Sequence, residues 1–170
     1  MENFQEIIIN RRSIRKYTSD AIKQEQIENL LQAAMYAPSA NNLQPWHFIV
    51  VDERAMLDKI VAVHPYAAML KEAPLAIVVC ADENIEKTEA YWVQDCSAAT
   101  QNIMLSAYGM GLGSVWLGVH PRKDRVEAIK TLFDLPINIH PLSIIAIGHP
   151  NEEKPLPTRY LKERIHSNQW

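Results

Sequence analysis

Four cations and a hydroxyl fall within six residues, Arg11-Arg12-Ser13-Ile14-Arg15-Lys16, of a chain whose formal charge is -3. No helical apolar face runs through residues 11–18, so the segment is expected to be extended, with Arg11, Ser13 and Arg15 pointing to one side. Such a row of donors suits phosphate and carbonyl-rich ligands. Read alone, the same run is more often a solvated charged face. A second polar concentration is Pro38-Ser39-Ala40-Asn41-Asn42-Leu43-Gln44-Pro45-Trp46. Asn42 and Gln44 carry the donors and acceptors that the imide edge of a heterocycle needs, and the prolines stiffen the frame. The alternative is a turn whose Ser and Asn side chains satisfy their own backbone.

Other motifs carry less chemistry. Gly109-Met110-Gly111-Leu112-Gly113-Ser114 fails the dinucleotide fingerprint, because Ser114 stands where glycine is needed and the run follows a helix and precedes a strand. It reads instead as a helix stop with tight packing, and Gly118 as a point where the backbone approaches a ligand or another backbone. The six histidines show no metal-ligand spacing, and His64, His120, His140 and His149 each precede proline, so no metal site is expected. Neither a Gly-x-Ser-x-Gly elbow nor a phosphate-binding Walker loop occurs, and Cys80 and Cys96 fall in predicted core elements, so no protein nucleophile is expected.

The elements that must hold these residues follow from periodicity. Asn3 and Glu6 form a capping-box pattern ahead of a short helix over residues 3–10. Ile27, Leu30, Leu31 and Ala34 mark a second helix that Pro38 must end. Buried strands are expected near residues 46–51, 75–80, 114–118 and 142–148, with helices near 53–63 and 124–133. Residues 91–110 are apolar or small on nearly every side, which suits a central helix or a subunit interface. This alternation by itself favours a parallel α/β sheet. After Gly148 the chain loses periodicity and gains prolines, as expected of an extended arm that carries Tyr160, Leu161, Ile165 and Trp170 onto its own domain or onto a second subunit, and exchange is the favoured reading.

The whole of 1–170 reads as a single domain, with 149–170 as the arm. A composition of 48% hydrophobic and 22% charged residues is that of an ordinary globular protein. The small negative charge and the lack of interleaved aromatics beyond Tyr17 argue against nucleic acid as a partner. No signal-peptide pattern and no apolar run of about 20 residues occurs, which points away from the membrane and, with two cysteines in no redox spacing, toward the cytoplasm.

Taken together, Arg11-Arg12-Ser13-Ile14-Arg15 after an opening helix, Ala37-Pro38-Ser39-x-x-Asn42-x-Gln44-Pro45-Trp46, Gly111-Leu112-Gly113-Ser114-Val115-Trp116-Leu117-Gly118, and Ile147-Gly148 before a proline-rich arm with Arg159 resemble the nitroreductase family of FMN-dependent oxidoreductases. The resemblance covers nearly the whole chain. It implies an α+β fold, a mixed and mainly antiparallel sheet flanked by helices, and a homodimer that exchanges the C-terminal arm and lines two FMN sites with both subunits. Carried over, it assigns the FMN phosphate and the N1/O2 edge to Arg11, Arg12, Ser13 and Arg15, with Arg159 returning from the arm to the phosphate. Pro38, Ser39, Ala40 and Asn42 would come from the other subunit, and the backbone near Leu117 and Gly118 would meet N5.

The implied activity takes hydride from NADH or NADPH through flavin N5 to small electron acceptors such as nitroaromatics or quinones, in ping-pong order and with no catalytic side chain. The chain is short for the family, and residues 53–74 leave little room for a lid, which implies an open pocket. Tyr66, Met69 and Trp92 fit a pocket wall and core or interface packing equally well. Alternatives within the resemblance are a flavin carrier or regulatory module without nicotinamide turnover, and a relative performing reductive dehalogenation or flavin fragmentation.

Overall fold

The apolar runs near residues 75–80 and 142–148 become the two central strands of a four-stranded sheet whose edges are residues 46–51, beside the first, and 113–118, beside the second. The computed structural model describes residues 3–86 and 90–170. In chain order the elements are α1 (Phe4–Asn10), α2 (Gln24–Met35), β1 (Trp46–Val51), α3 (Arg54–Val63), β2 (Leu75–Asp82), α4 (Trp92–Gly109), β3 (Gly113–Gly118), α5 (Lys123–Leu132) and β4 (Ile139–Gly148). Every paired strand is antiparallel, which corrects the parallel arrangement that alternation alone favours and agrees with the α+β expectation. Periodicity reports which faces are buried. A strand covered on both faces reads the same whichever way its neighbours run.

Both faces of the central strands are covered. Leu75, Ile77 and Val79 of β2, with Ile145 and Ile147 of β4, pack with Leu30 of α2 and Ile103 of α4. Ala76, Val78 and Cys80, with Ile144 and Ala146, pack on the other side with Leu57 and Ile60 of α3 and Ile129 of α5. Burial in this second layer pushes the Cys80 thiol up to about 12, so it stays protonated. Among the described residues no helix is long and apolar enough to cross a membrane.

Local chemistry sets the element ends that matter below. In α1 the capping box is formed: the Asn3 side chain accepts from the Gln5 N–H, and the Asn3 N–H donates to Glu6 at 3.0 Å. At the end of α4, Gly111 adopts φ +74°, while the Leu112 N–H reaches the Ala107 carbonyl at 2.8 Å and the Gly111 N–H reaches Tyr108 at 2.9 Å. This is the Schellman arrangement that a left-handed glycine permits, and it turns the chain from the buried helix straight into β3.

Ser13 and Ile14 lie on the free edge of β3, where Ser13 and Ser114 form the one parallel bridge among the described residues. The start of the arm returns to the same segment. Tyr17 bridges Pro150, the Thr18 N–H donates to the His149 carbonyl at 3.0 Å, and the Asn151 N–H donates to Lys16 at 2.9 Å. Beyond that the arm is extended and exposed, apart from a short 3-10 turn at Lys162–Arg164.

Candidate functional site

Two cavities open one after the other along the edge of β3, and the 11–15 segment borders both. The first, of about 830 Å³, is lined by Arg11, Arg12, Ile14, the 111–114 turn and the start of the arm, including Glu152 and Lys154. Arg12 spends Nε on the Pro155 carbonyl at 3.1 Å, and Nη1 on Ile9 and Arg11 at 2.7 Å each. Its Nη2, and Nη1 of Arg11, are buried without an acceptor. Burial first, and then the like charges of Arg159 and Arg12, pull the Arg11 guanidinium below its usual value. Among the described residues no carboxylate pairs with any of these arginines. Glu152, the nearest candidate, is held below the usual carboxylate range by Lys154 at 2.7 Å and by the Arg15 N–H at 2.6 Å.

The second cavity, of about 480 Å³, is lined by Arg15, Pro65, Tyr66, Ala68, Met69 and residues 115–118. Its apolar walls and single arginine suit a flat heterocycle. The Ser114 carbonyl accepts from the Ile14 N–H at 3.0 Å, so it points away from β4. Antiparallel pairing alternates this direction residue by residue, and Trp116 and Gly118 therefore turn their N–H and C=O groups to the same free edge. A Cβ built on Gly118 meets nothing within 4 Å, whereas at Gly113 it meets Ile14 Cγ2 at 2.8 Å. Gly113 is thus a packing glycine, and Gly118 leaves open space beside an outward N–H.

The expected one-sided row does not form. Arg11 and Arg12 face the first cavity, Arg15 faces the second, and Ser13 lies between them in the bridge to β3. The buried Ile14 and Tyr17 sit three residues apart, so strict alternation breaks within the segment. The Tyr17 hydroxyl donates to the Ile14 carbonyl and fixes that break.

The 38–45 loop lies elsewhere. It precedes β1, the opposite edge of the sheet from β3, so Pro38, Ser39, Ala40 and Asn42 do not meet either cavity of their own chain. Ser39 Oγ accepts from the Gln44 N–H at 3.0 Å, a side chain bonded to backbone as in the turn reading, whereas Asn42 Oδ1 accepts from the Gln44 side chain, at Nε2, at 3.0 Å. Asn41, Asn42 and Gln44 adopt φ of 51°, 55° and 51°. Asparagine tolerates that region; for Gln44 it is a strained conformation held by the surrounding bonds. The Ala40 N–H donates to Asp95 Oδ1 at 3.0 Å, while Oδ2 of this buried carboxylate has no partner.

Two further side chains reach the site without any sequence signal. His64 Nε2 lies 3.0 Å from the Gly118 carbonyl and Arg125 Nη1 lies 2.8 Å from it, and the Arg125 guanidinium sits 5.0 Å from the centre of the Tyr66 ring. Among the described residues no group of His, Cys, Asp and Glu could hold a metal.

The unpaired guanidinium donors at one end of the edge and the open backbone at the other are the chemistry of a protein that holds an anionic, flat cofactor. The nitroreductase family model matches residues 8–68 and 61–149, and the chain belongs to that family. A protein of Methanothermobacter thermautotrophicus, provisionally named an NADH dehydrogenase/NAD(P)H nitroreductase, is 51% identical over 97% of this chain and 86% of its own length. A crystal structure under the same provisional name from Parabacteroides distasonis has a TM-score of 0.94 at 42% identity, covering 99% of this chain and 100% of that one. A Desulfovibrio desulfuricans protein provisionally described as a nitroreductase, solved in complex with FMN, has a TM-score of 0.87 at 31% identity, covering 100% and 99%.

Proposed function

We propose that the chain is an FMN-dependent oxidoreductase that takes hydride from NADH or NADPH and delivers it to a small electron acceptor such as a nitroaromatic or a quinone, as a homodimer in the cytoplasm. The observation that carries this reading is the buried pair of acceptorless guanidinium nitrogens, Arg11 Nη1 and Arg12 Nη2, at the end of a groove whose other end is the open Gly118 backbone. Buried donors without acceptors cost stability in the free protein, and a dianionic phosphate removes that cost with charge-assisted bonds. The residues present therefore fit FMN.

In this reading Arg11, Arg12 and Arg159 hold the phosphate. Ser13 lies alongside the chain between phosphate and ring. Arg15 donates to the carbonyl-rich edge of the ring, and the backbone at Leu117 and Gly118 borders its reacting edge, with the Gly118 N–H as donor. When bound, FMN supplies the two-electron chemistry, accepting hydride from the nicotinamide and passing it to the acceptor. The chain's part is to fix the ring, to keep a cation beside the edge that gains electron density, and to leave one face open to flat substrates in turn.

A second copy completes the arrangement. Pro38, Ser39, Ala40 and Asn42 are too far around the sheet to serve their own groove, and from the partner they would border the ring. Phe4 and Ile8 on α1, and Tyr160, Ile165 and Trp170 on the arm, are exposed apolar groups that association would cover. The deciding experiment is the visible spectrum of purified protein, reconstituted with FMN and treated anaerobically with NADH and then NADPH. A flavin band that bleaches is expected. A flavin that binds but never bleaches would leave a carrier, and no flavin uptake would overturn the reading.

A further inference from the structure

We infer that His64 and Arg125 are positioning residues for the ring-facing end of β3: their two N–H donors on the Gly118 carbonyl fix the Gly118–Val119 peptide, and so hold in place the strand end whose preceding peptide presents the Gly118 N–H to the flavin. This role rests on the FMN reading above. Gly118 ends β3, and the next tie to β4 is the Val119 N–H to the Leu142 carbonyl at 3.1 Å. Gly118 has no side chain to hold its backbone, so the peptides on either side are held from outside: Leu117 is in register with Ile144 of β4 on one side, and the Gly118 carbonyl is bonded on the other.

Two donors hold the carbonyl side. His64 caps the C-terminus of α3, and its Nδ1 accepts the Tyr66 N–H at 3.3 Å. That leaves Nε2 as the protonated nitrogen, which donates to Gly118 at 3.0 Å. From α5, Arg125 Nη1 donates to the same oxygen at 2.8 Å, while its guanidinium packs over the Tyr66 ring. Two helices thus converge on one carbonyl through donors of different type. The arrangement is not the cheapest way to tie down a strand end, because Arg125 Nε stays buried without an acceptor and no carboxylate pairs with Arg125 among the described residues. A partly buried arginine with an acceptorless Nε, beside an open glycine and packed on the tyrosine that walls the groove, is what a supporting shell around a reacting edge requires.

The test uses full-length wild type, Arg125→Met, His64→Leu and His64→Gln. Each is titrated with FMN, the visible spectrum of the bound flavin is recorded, and quinone reduction by NADH or NADPH is measured per bound flavin. The FMN dissociation constant should stay within about threefold, because the arginines at the other end are untouched. In Arg125→Met and His64→Leu, kcat should fall about tenfold or more with KM for the quinone within about twofold, and the flavin bands should move. His64→Gln, whose amide N–H reaches the place of Nε2, should return kcat to within about threefold of wild type.

A purely structural tie would lower the melting temperature and leave kcat per bound flavin and the band positions unchanged; that result overturns the role. If the buried His64→Leu variant does not fold, Arg125→Met decides alone, since Arg125 is only partly buried. Wild type that takes up no FMN overturns the functional reading and this role together. Wild type that turns over, beside variants indistinguishable from it, overturns this role alone.

Discussion

Gly118 and Gly148 differ in what an added methyl group would meet, and the pair of substitutions to alanine separates ligand approach from packing. At Gly118 nothing lies within 4 Å, and φ is outside the left-handed region, so Gly118→Ala removes only unfolded-state freedom. The apo protein should gain about 0.4–1 kcal/mol, a rise of up to about 4 °C in melting temperature for a chain of this size. FMN should bind about fivefold more weakly, because the methyl group keeps the ring from the N–H and a lost hydrogen bond is worth about 1 kcal/mol. At Gly148 the same methyl group would stand 2.7 Å from Tyr17 Cδ1 and 2.9 Å from Pro74 Cδ. Neither ring can swing aside, and overpacking of this kind costs about 1–3 kcal/mol, or about 2–12 °C. Differential scanning fluorimetry of the apo proteins and fluorescence titration with FMN read both quantities. Gly118→Ala with wild-type FMN affinity would refute a ring at that edge, and Gly148→Ala with an unchanged melting point would refute the packing argument.

The two arginines of the first cavity should also part company. Arg11→Ala removes a partly buried cation whose Nη1 has no acceptor, so the apo protein should be no less stable while FMN binds about 10–100-fold more weakly; Arg12→Ala frees three backbone carbonyls and should lower the melting point as well. Truncation after Gly148 removes Arg159 and the exposed aromatic groups of the arm, and size-exclusion chromatography should give a colourless monomer; a yellow dimer would refute the arm's role. Burial lowers the proton affinity of His64 below the ordinary 6.5, outweighing the bond to Gly118, and burial does the same at His120. The unfolded chain then binds more protons than the folded one, so this part of the stability is complete above that value and is lost as the pH falls below it. Urea melts at about pH 5 and pH 7.5 should show the loss, and His64→Gln should show less of it.

The strands and helices were legible because burial imposes a period. β1 lies where its apolar run predicts, and α1 begins at the Asn3 and Glu6 box. The glycines of residues 109–113 read correctly as a helix stop, since a reversed order of helix and strand cannot aim a helix N-terminus at phosphate. Strand direction was not legible from periodicity, as the central strands are covered on both faces. The fold class came instead from the conjunction of motifs. The split of the arginine row was hidden because Tyr17 turns inward to bond the carbonyl of Ile14, a contact fixed by the second core layer and not by local spacing. His64 and Arg125 were invisible for a simpler reason: each reaches Gly118 from another element, 54 and 7 residues away in the chain.

The N-terminal segment that carries the cations is tied to the arm across nearly the full chain, with Arg12 bonded to Pro155 and Arg15 to Glu152 over separations of 143 and 137 residues. During synthesis, residues 11–18 are made long before their partners Glu152 and Pro155 and wait while the intervening residues are added, at about 5–20 residues per second. Every strand of the sheet is complete in the sequence by Gly148, ahead of both partners. The groove therefore needs residues made after the last strand, and a captured flavin certifies that the 11–15 segment and the arm have found each other. A nascent or C-terminally clipped molecule would keep much of its sheet and its core, yet be colourless.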